Sequence, residues 1–191
     1  MAVTSLLVPK TKLKHPPLTI HTMGDQVLRQ PAKRVSRIND EIRQLVQDML
    51  KTMYSSDGIG LAAPQVGISK RIIVADPAPD QPESPQFVFI NPEIKEYKGS
   101  TLVDQEGCLS IPGVYCDVIR YSTIVVAYKD ETGRPRMMQA DGLLARVIQH
   151  ELDHLNGILF VDLVENMLQL DQELRKHGFD LGDVNHKSAE A

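Results

Sequence analysis

Two histidines four residues apart, His150 and His154, stand inside an apolar stretch, and this leaves the chain few ways to fold. Leu143, Leu144, Val147, Ile148 and Leu155 recur at helical spacing between an N-cap residue, Asp141, and a stop at Asn156-Gly157. A helix this apolar is mostly buried. Positions i and i+4 lie one above the other on a helix, so both imidazoles face the same way. Buried imidazoles need partners, and one metal ion satisfies both. Glu151 sits beside the pair but offset from it, within reach of the lowered-pKa water such an ion holds. The plain alternative is a surface helix with two unrelated histidines, and the flanking apolar residues weigh against it.

The rest of the chain gives this helix a setting. Asn39 reads as an N-cap, with Asp40 and Glu41 in the first turn and Ile42, Leu45, Val46, Met49 and Met53 at helical spacing, so residues 40–55 form an amphipathic helix. From 58 to 140 the runs are short and β-rich. Residues 71–75, 87–90, 119–128 and 136–139 read as strands, with a hairpin turn over 130–133 and a loop over 76–85 that holds four prolines. A last amphipathic helix covers 163–176. The expected fold is α+β, with mixed or antiparallel sheets around the central histidine helix and one helix towards each terminus.

Two histidines leave a site incomplete. The long zincin pattern fails, because Phe160 stands where its third histidine belongs, although Gly157 fits. Glu173, about 20 residues downstream as in thermolysin-like enzymes, is one candidate third ligand. Cys108, in Glu106-Gly107-Cys108-Leu109-Ser110, is another, since a thiolate suits borderline and soft divalent metals. An isolated cysteine is more often a small buried hydrophobe. A further segment, Gly58-Ile59-Gly60-Leu61-Ala62-Ala63-Pro64-Gln65, has glycines that let backbone approach a ligand and a glutamine able to donate to an oxyanion. It also suits a tight turn feeding a strand.

Taken in order, Gly-Ile-Gly-Leu-Ala-Ala-Pro-Gln, Glu-Gly-Cys-Leu-Ser and Gln-His-Glu-Leu-Asp-His resemble the peptide deformylase family over about residues 18–165, and most closely its cyanobacterial and plastid (type 1B) branch. The resemblance implies metal ligands Cys108, His150 and His154 with a water in the fourth position. Glu151 would serve as general base towards that water and then as proton donor to the leaving amine. The Gln65 amide and the Leu109 N–H would hold the oxyanion. Ile59, Gly60 and Gly107 would offer backbone to an extended formyl-peptide, and Ile59, Leu143 and Val147 would form the methionine pocket. Glu106 and Arg120 would pair behind the Cys108 loop, with Gln149 supporting the helix. Arg146 stands where an apolar pocket residue is common, and Tyr115 replaces a basic residue. Arg146 is expected to lay its stem along the pocket with its head at the mouth. The implied metal is Fe(II), with Ni, Co or Zn able to substitute, and the implied reaction releases formate from formyl-methionine of nascent proteins. A zinc peptidase using His150, His154 and Glu173 is the alternative.

Composition narrows the partners. A formal charge of −4 with no dominant basic patch argues against nucleic acid, and no apolar run approaches the roughly 20 residues that span a bilayer. Two cysteines are too few for a disulfide framework, which favours the reducing cytoplasm. The acid-poor start, with Lys10, Lys12 and Lys14, reads as a loose arm over 1–17 ending at Pro16-Pro17; a transit-peptide stub and the plastid stroma are the minority reading. The catalytic domain then covers 18–178 and a mobile tail 179–191. Arg175 and Lys176 raise the question of whether the last helix docks on the ribosome or packs on the domain.

Overall fold

A computed structural model describes residues 7–185. Its first helix, α1, spans Asp40–Ser55, and the Asn39 side chain accepts the Ile42 N–H at 3.1 Å. Strands β1 (Gly60–Ala62), β2 (Ile72–Ala75), β3 (Phe87–Cys108), β4 (Ile111–Lys129) and β5 (Pro135–Asp141) follow, then helices α2 (Gly142–Leu155) and α3 (Met167–Lys176). The strands form one sheet in sequence order, every pair antiparallel. The fold is therefore α+β as expected, with one antiparallel sheet in place of several.

The sheet is covered on both faces at its centre, which is why β2 reads Ile-Ile-Val-Ala without alternation. Ile72, Val74, Val88 and Ile90 face α1, packing on Val46, Met49, Leu50 and Met53. Ile73, Ala75 and Phe89 face α2, packing on Ala145, Ile148 and Leu152. A third apolar cluster joins Ile111, Val114, Cys116 and Val118 of β4 to Phe160, Leu170 and Leu174.

Strands β3 and β4 run far beyond the expected 87–90 and 119–128. β3 leaves β2 after Ile90, and β5 stays beside β4 as far as Thr123. From Thr101 and Tyr121 onward β3 and β4 continue as a two-stranded ribbon to the turn at Leu109-Ser110, with register shifts at Ile90/Glu93, Ile94/Glu96 and Lys98/Thr101. Residues 95–105 of β3 are almost all exposed, so no burial imposes a period-two pattern there. The last helix starts at Met167, because Phe160–Leu163 forms a separate 3-10 turn. Asp141 stands at the α2 N-cap, but its side chain takes the Thr123 hydroxyl at 2.7 Å instead of capping the helix.

Within the arm expected over 1–17, residues 7, 8 and 10 are held to the domain, while 11–17 are exposed. Val8 is buried, the Gln86 side chain bonds Leu7 and Val8, and Lys10 Nζ reaches Asp76 at 2.7 Å. The tail is likewise held over 179–185: Phe179, Leu181 and Val184 pack on the third cluster, and the Asn185 N–H bonds Asp162 at 2.8 Å. Residues 1–6 and 186–191 lie outside the described residues.

Asp76 is the buried hub of the arm and the proline-rich loop. It accepts from Ser84 Oγ (2.6 Å), Tyr54 OH (2.8 Å) and the Ala78 N–H (3.0 Å), besides pairing with Lys10. Burial pushes its carboxyl up, but the bonds from Lys10, Ser84, Tyr54 and Ala78 outweigh it and hold the group below its usual value. A depressed carboxyl stabilises the fold above the unfolded pKa near 3.9 and loses that stabilisation as pH falls through the folded value. Asp76→Ala is expected to cost about 3 kcal/mol in urea unfolding at pH 7, since it leaves Lys10 buried and unpaired. The gap to the parent should narrow below about pH 4; a variant that unfolds with the parent at pH 7 would remove the hub's role.

Candidate metal centre and cleft

His150 and His154 stack along one face of α2, both buried, with ring centroids 5.0 Å apart. The helix ends where Gly157 turns left-handed (φ 73°), and a Cβ there would meet the backbone of Arg29. Cys108 ends β3 and pairs with Ile111 across the two-residue turn, which brings its sulfur to 3.2 Å from His154 Nε2. One ligand atom each from Cys108, His150 and His154 lies within 4.8 Å of the others.

The donor set fits a divalent metal. His150 Nδ1 is bonded to Glu106 Oε2 at 2.9 Å, which leaves Nε2 free for an ion. Burial holds His154 well below the usual histidine range, so its ring is neutral and its lone pair available. The Cys108 sulfur accepts from the Ser110 N–H and the Gln65 Nε2, each at 3.4 Å. Two imidazoles and one thiolate suit borderline metals, and three protein ligands leave a position for a reacting molecule. Glu173 is outside this group: it sits on α3 paired with Lys176 at 2.5 Å.

Gln65 has a fixed orientation. The Ala62 N–H donates to its Oε1 at 2.8 Å, so its NH₂ points to Cys108 and to Ser110 Oγ (3.1 Å). Glu151 is buried against β1, where a Cβ on Gly60 would come within 2.5 Å of its Oε1. Its Oε2 has no hydrogen-bond partner among the described residues. Burial pushes this carboxyl up to about 7; a dication alongside would draw it down again.

Behind the histidines a charged cluster is closed around Glu106. Arg120 donates Nε to Oε1 (2.9 Å) and Nη2 to Oε2 (3.0 Å), and its Nη1 reaches Asp153 at 2.5 Å. Arg146 adds Nη1 to Oε1 at 2.8 Å. Against burial, the His150 and Arg120 bonds hold the Glu106 carboxyl well below its ordinary value. The side-chain amide of Gln149 exchanges both bonds with the Tyr121 backbone, at 3.1 and 2.9 Å, and so fastens α2 to β4.

In front lies a cleft of about 690 Å³, whose walls include Ile59, Gly60, Gln65, Glu106, Gly107, Cys108, Leu109, Leu143, Arg146, Val147, His150 and Glu151. His154 is not part of that wall. One expectation is corrected: the Arg146 head is not at the mouth. The residue is 9% exposed and its guanidinium turns inward to Glu106, Val118 O and Leu102 O, because a buried carboxylate and two strand carbonyls offer it more than the solvent-facing rim does. Ile20, Pro112, Gly113 and Tyr115 also line the cleft. Ile20 carries no local sequence signal, whereas Asp153, inside the histidine segment, could have been singled out as a partner for Arg120.

The chain matches the family model for polypeptide deformylase over residues 17–169. It is 60% identical over 176 residues to a peptide deformylase of Microchaete diplosiphon, covering 92% of this chain and 94% of that one. With a peptide deformylase of Thermosynechococcus vestitus it shares 61% over 175 residues, 92% and 93% of the two chains. The crystal structure of a Synechococcus elongatus peptide deformylase in complex with actinonin superposes with a TM-score of 0.94 at 58% identity, covering 96% of this chain and all of that one. A plant peptide deformylase superposes with a TM-score of 0.78 at 35% identity, over 87% and 94% of the chains. With Cys108 and His150 on the cleft wall and His154 clustered with them, the chain belongs to the peptide deformylase family, metal-dependent hydrolases that remove the formyl group from nascent proteins.

Proposed function

We propose that this protein hydrolyses the N-formyl group of formyl-methionyl chains with Cys108, His150 and His154 as the ligands of one Fe(II), which Ni, Co or Zn can replace. The observation that carries this is three ligand atoms within 4.8 Å of one another, beside a buried carboxyl with an oxygen unpartnered among the described residues, on a cleft of about 690 Å³. When bound, the ion supplies Lewis acidity and lowers the pKa of water.

The chain's own groups do the rest. β1 is an edge strand of the sheet, so an extended peptide can add to it through the backbone at Ile59 and Gly60, with Gly107 opposite. The methionine side chain enters the apolar wall of Ile59, Leu143 and Val147. Charge that builds on the formyl oxygen meets the Gln65 NH₂ and the Leu109 N–H. Glu151 takes a proton from the attacking water and delivers it to the amine nitrogen as the C–N bond breaks, giving formate and a free N-terminus. Glu106 and Arg120 stand behind the ligands and hold His150.

Working on nascent chains puts the protein where translation runs, the cytoplasm, with the plastid stroma as the alternative. Packing supports a structural role for α3 over ribosome docking: Leu170 and Leu174 are buried, and Arg175 and Lys176 pair with Asp171 and Glu173. The test is formate release from formyl-Met-Ala-Ser by anaerobically prepared Fe(II) protein. Release that stops when a chelator strips the metal and returns with Fe(II) is the expected result. A metal-bearing sample that releases none would overturn the proposal.

A further inference from the structure

We infer that Arg146 is a positioning residue for the metal centre, fixing the β-ribbon that carries Cys108 against the helix that carries both histidines. The inference rests on the ligand set proposed above. Those ligands come from two elements, β3 and α2, whose register no covalent link enforces. Arg146 lies on α2 one turn before His150, and its guanidinium reaches both strands of the ribbon: Nη2 to Leu102 O at 2.8 Å and Nη1 to Val118 O at 3.0 Å. The same Nη1 holds Glu106 Oε1 at 2.8 Å.

Glu106 precedes Cys108 by two residues and accepts from His150 Nδ1, so the carboxylate is shared between the two halves of the centre. Arg120 closes the other side: rooted in β4, it binds Glu106 through both oxygens and returns to α2 at Asp153. One clasp runs from helix to ribbon and the other from ribbon to helix. Arg120 alone would keep the carboxylate oriented. What Arg146 adds is the pair of carbonyl bonds, which pin the ribbon backbone on both sides of the Cys108 turn. These bonds are charge-assisted, the one to Val118 O buried and the one to Leu102 O partly so, and shielding from water strengthens them. Metal–ligand distances tolerate only about 0.2 Å, so slack between ribbon and helix is felt at the sulfur.

Two other roles make different forecasts. A pocket wall acts on substrate binding, and a plain stabiliser acts on melting alone. The experiment uses the full chain loaded with Co(II), in the parent, Arg146→Met and Arg146→Lys. It measures Co(II) loss to excess chelator, the thiolate-to-cobalt charge-transfer band, the melting temperature, and kcat and KM with formyl-Met-Ala-Ser. R146M is expected to release Co(II) about tenfold faster, with a shifted band and a lower kcat, and with KM held within about twofold. R146K is expected to fall between, because an ammonium reaches Glu106 but cannot span both carbonyls. A raised KM with unchanged band and release would make Arg146 a substrate wall and overturn the inference. A lowered melting temperature with unchanged band, release and kcat would overturn it equally. If R146M does not fold, R146K decides on the same readings. A parent lacking the thiolate band would refute the ligand set and the inference with it, whereas a banded parent with an unchanged R146M would overturn the role of Arg146 alone.

Discussion

Formate release is expected to fall about a thousandfold in Glu151→Gln while the bound metal stays at the parent's level, the size that follows when a positioned proton carrier is lost. The substitution keeps the shape of the side chain and removes only its ability to take a proton. Glu151 sits next to His150 in sequence but is not among the three clustered ligand residues, so metal content has no reason to change. Stability has little reason to fall either, because Oε2 has no partner to lose among the described residues. In the metal-free protein burial raises this carboxyl to about 7. A raised group favours the fold at low pH and loses that contribution as pH climbs from the unfolded value through about 7. A neutral amide escapes that loss, so metal-free Glu151→Gln should melt no lower than the parent at pH 8. The decisive pair is formate release and metal content on one preparation. Activity above a tenth of the parent's would end the role of Glu151 as base, and loss of metal would make it part of the metal's support instead.

What could be read in advance followed how local each cause was. α1 was legible to the residue, because Asn39, the acidic first turn and the apolar stripe all act within one helix. α2 was legible for the same reason, and its apolar surround forecast the burial of both histidines. β2 could be seen as a buried strand. The ribbon from 91 to 118 could not, since most of β3 there faces solvent and offers no alternation. Its other strand did carry a signal: Val114, Cys116, Val118 and Arg120 alternate with exposed residues and are buried.

The centre divides in the same way. Spacing on a helix put the two histidines together, but the meeting of Cys108 with His154 spans 46 residues and has no local trace. Thiolate chemistry made Cys108 a candidate beside Glu173, and the resemblance of three ordered motifs chose between them. Arg146 was misjudged because a long cation at a pocket position is normally drawn to water. The partners that turn it inward, Leu102 O and Val118 O, are backbone atoms of strands that were not foreseen. Asp76 was missed for a related reason: its partners come from the arm, α1 and the loop, so no one segment announces a hub.

Cys108→Ala is expected to weaken metal binding by more than about a hundredfold, whereas Glu173→Gln leaves binding and formate release untouched. The lower bound follows from the 10- to 100-fold that losing a mere supporting contact costs, since a direct ligand must matter more. Without the thiolate, two neutral imidazoles remain, and the site loses its one anionic donor together with much of its preference for borderline metals. Replacing Cys108 also removes the acceptor of the Ser110 N–H and one acceptor of the Gln65 amide, which keeps its bonds to the Ala62 N–H and Ser110 Oγ. Glu173 is a contrasting case: its carboxylate joins Lys176 one turn along α3, a surface pair of little consequence. Metal content of the two variants, purified anaerobically beside the parent, separates the two third-ligand candidates. Retained metal and activity in Cys108→Ala with loss in Glu173→Gln would mean the ion is held elsewhere than at the cluster. The reverse leaves the ribbon's cysteine as the ligand that couples β3 to α2, and with it the reason both elements are clasped so closely around Glu106.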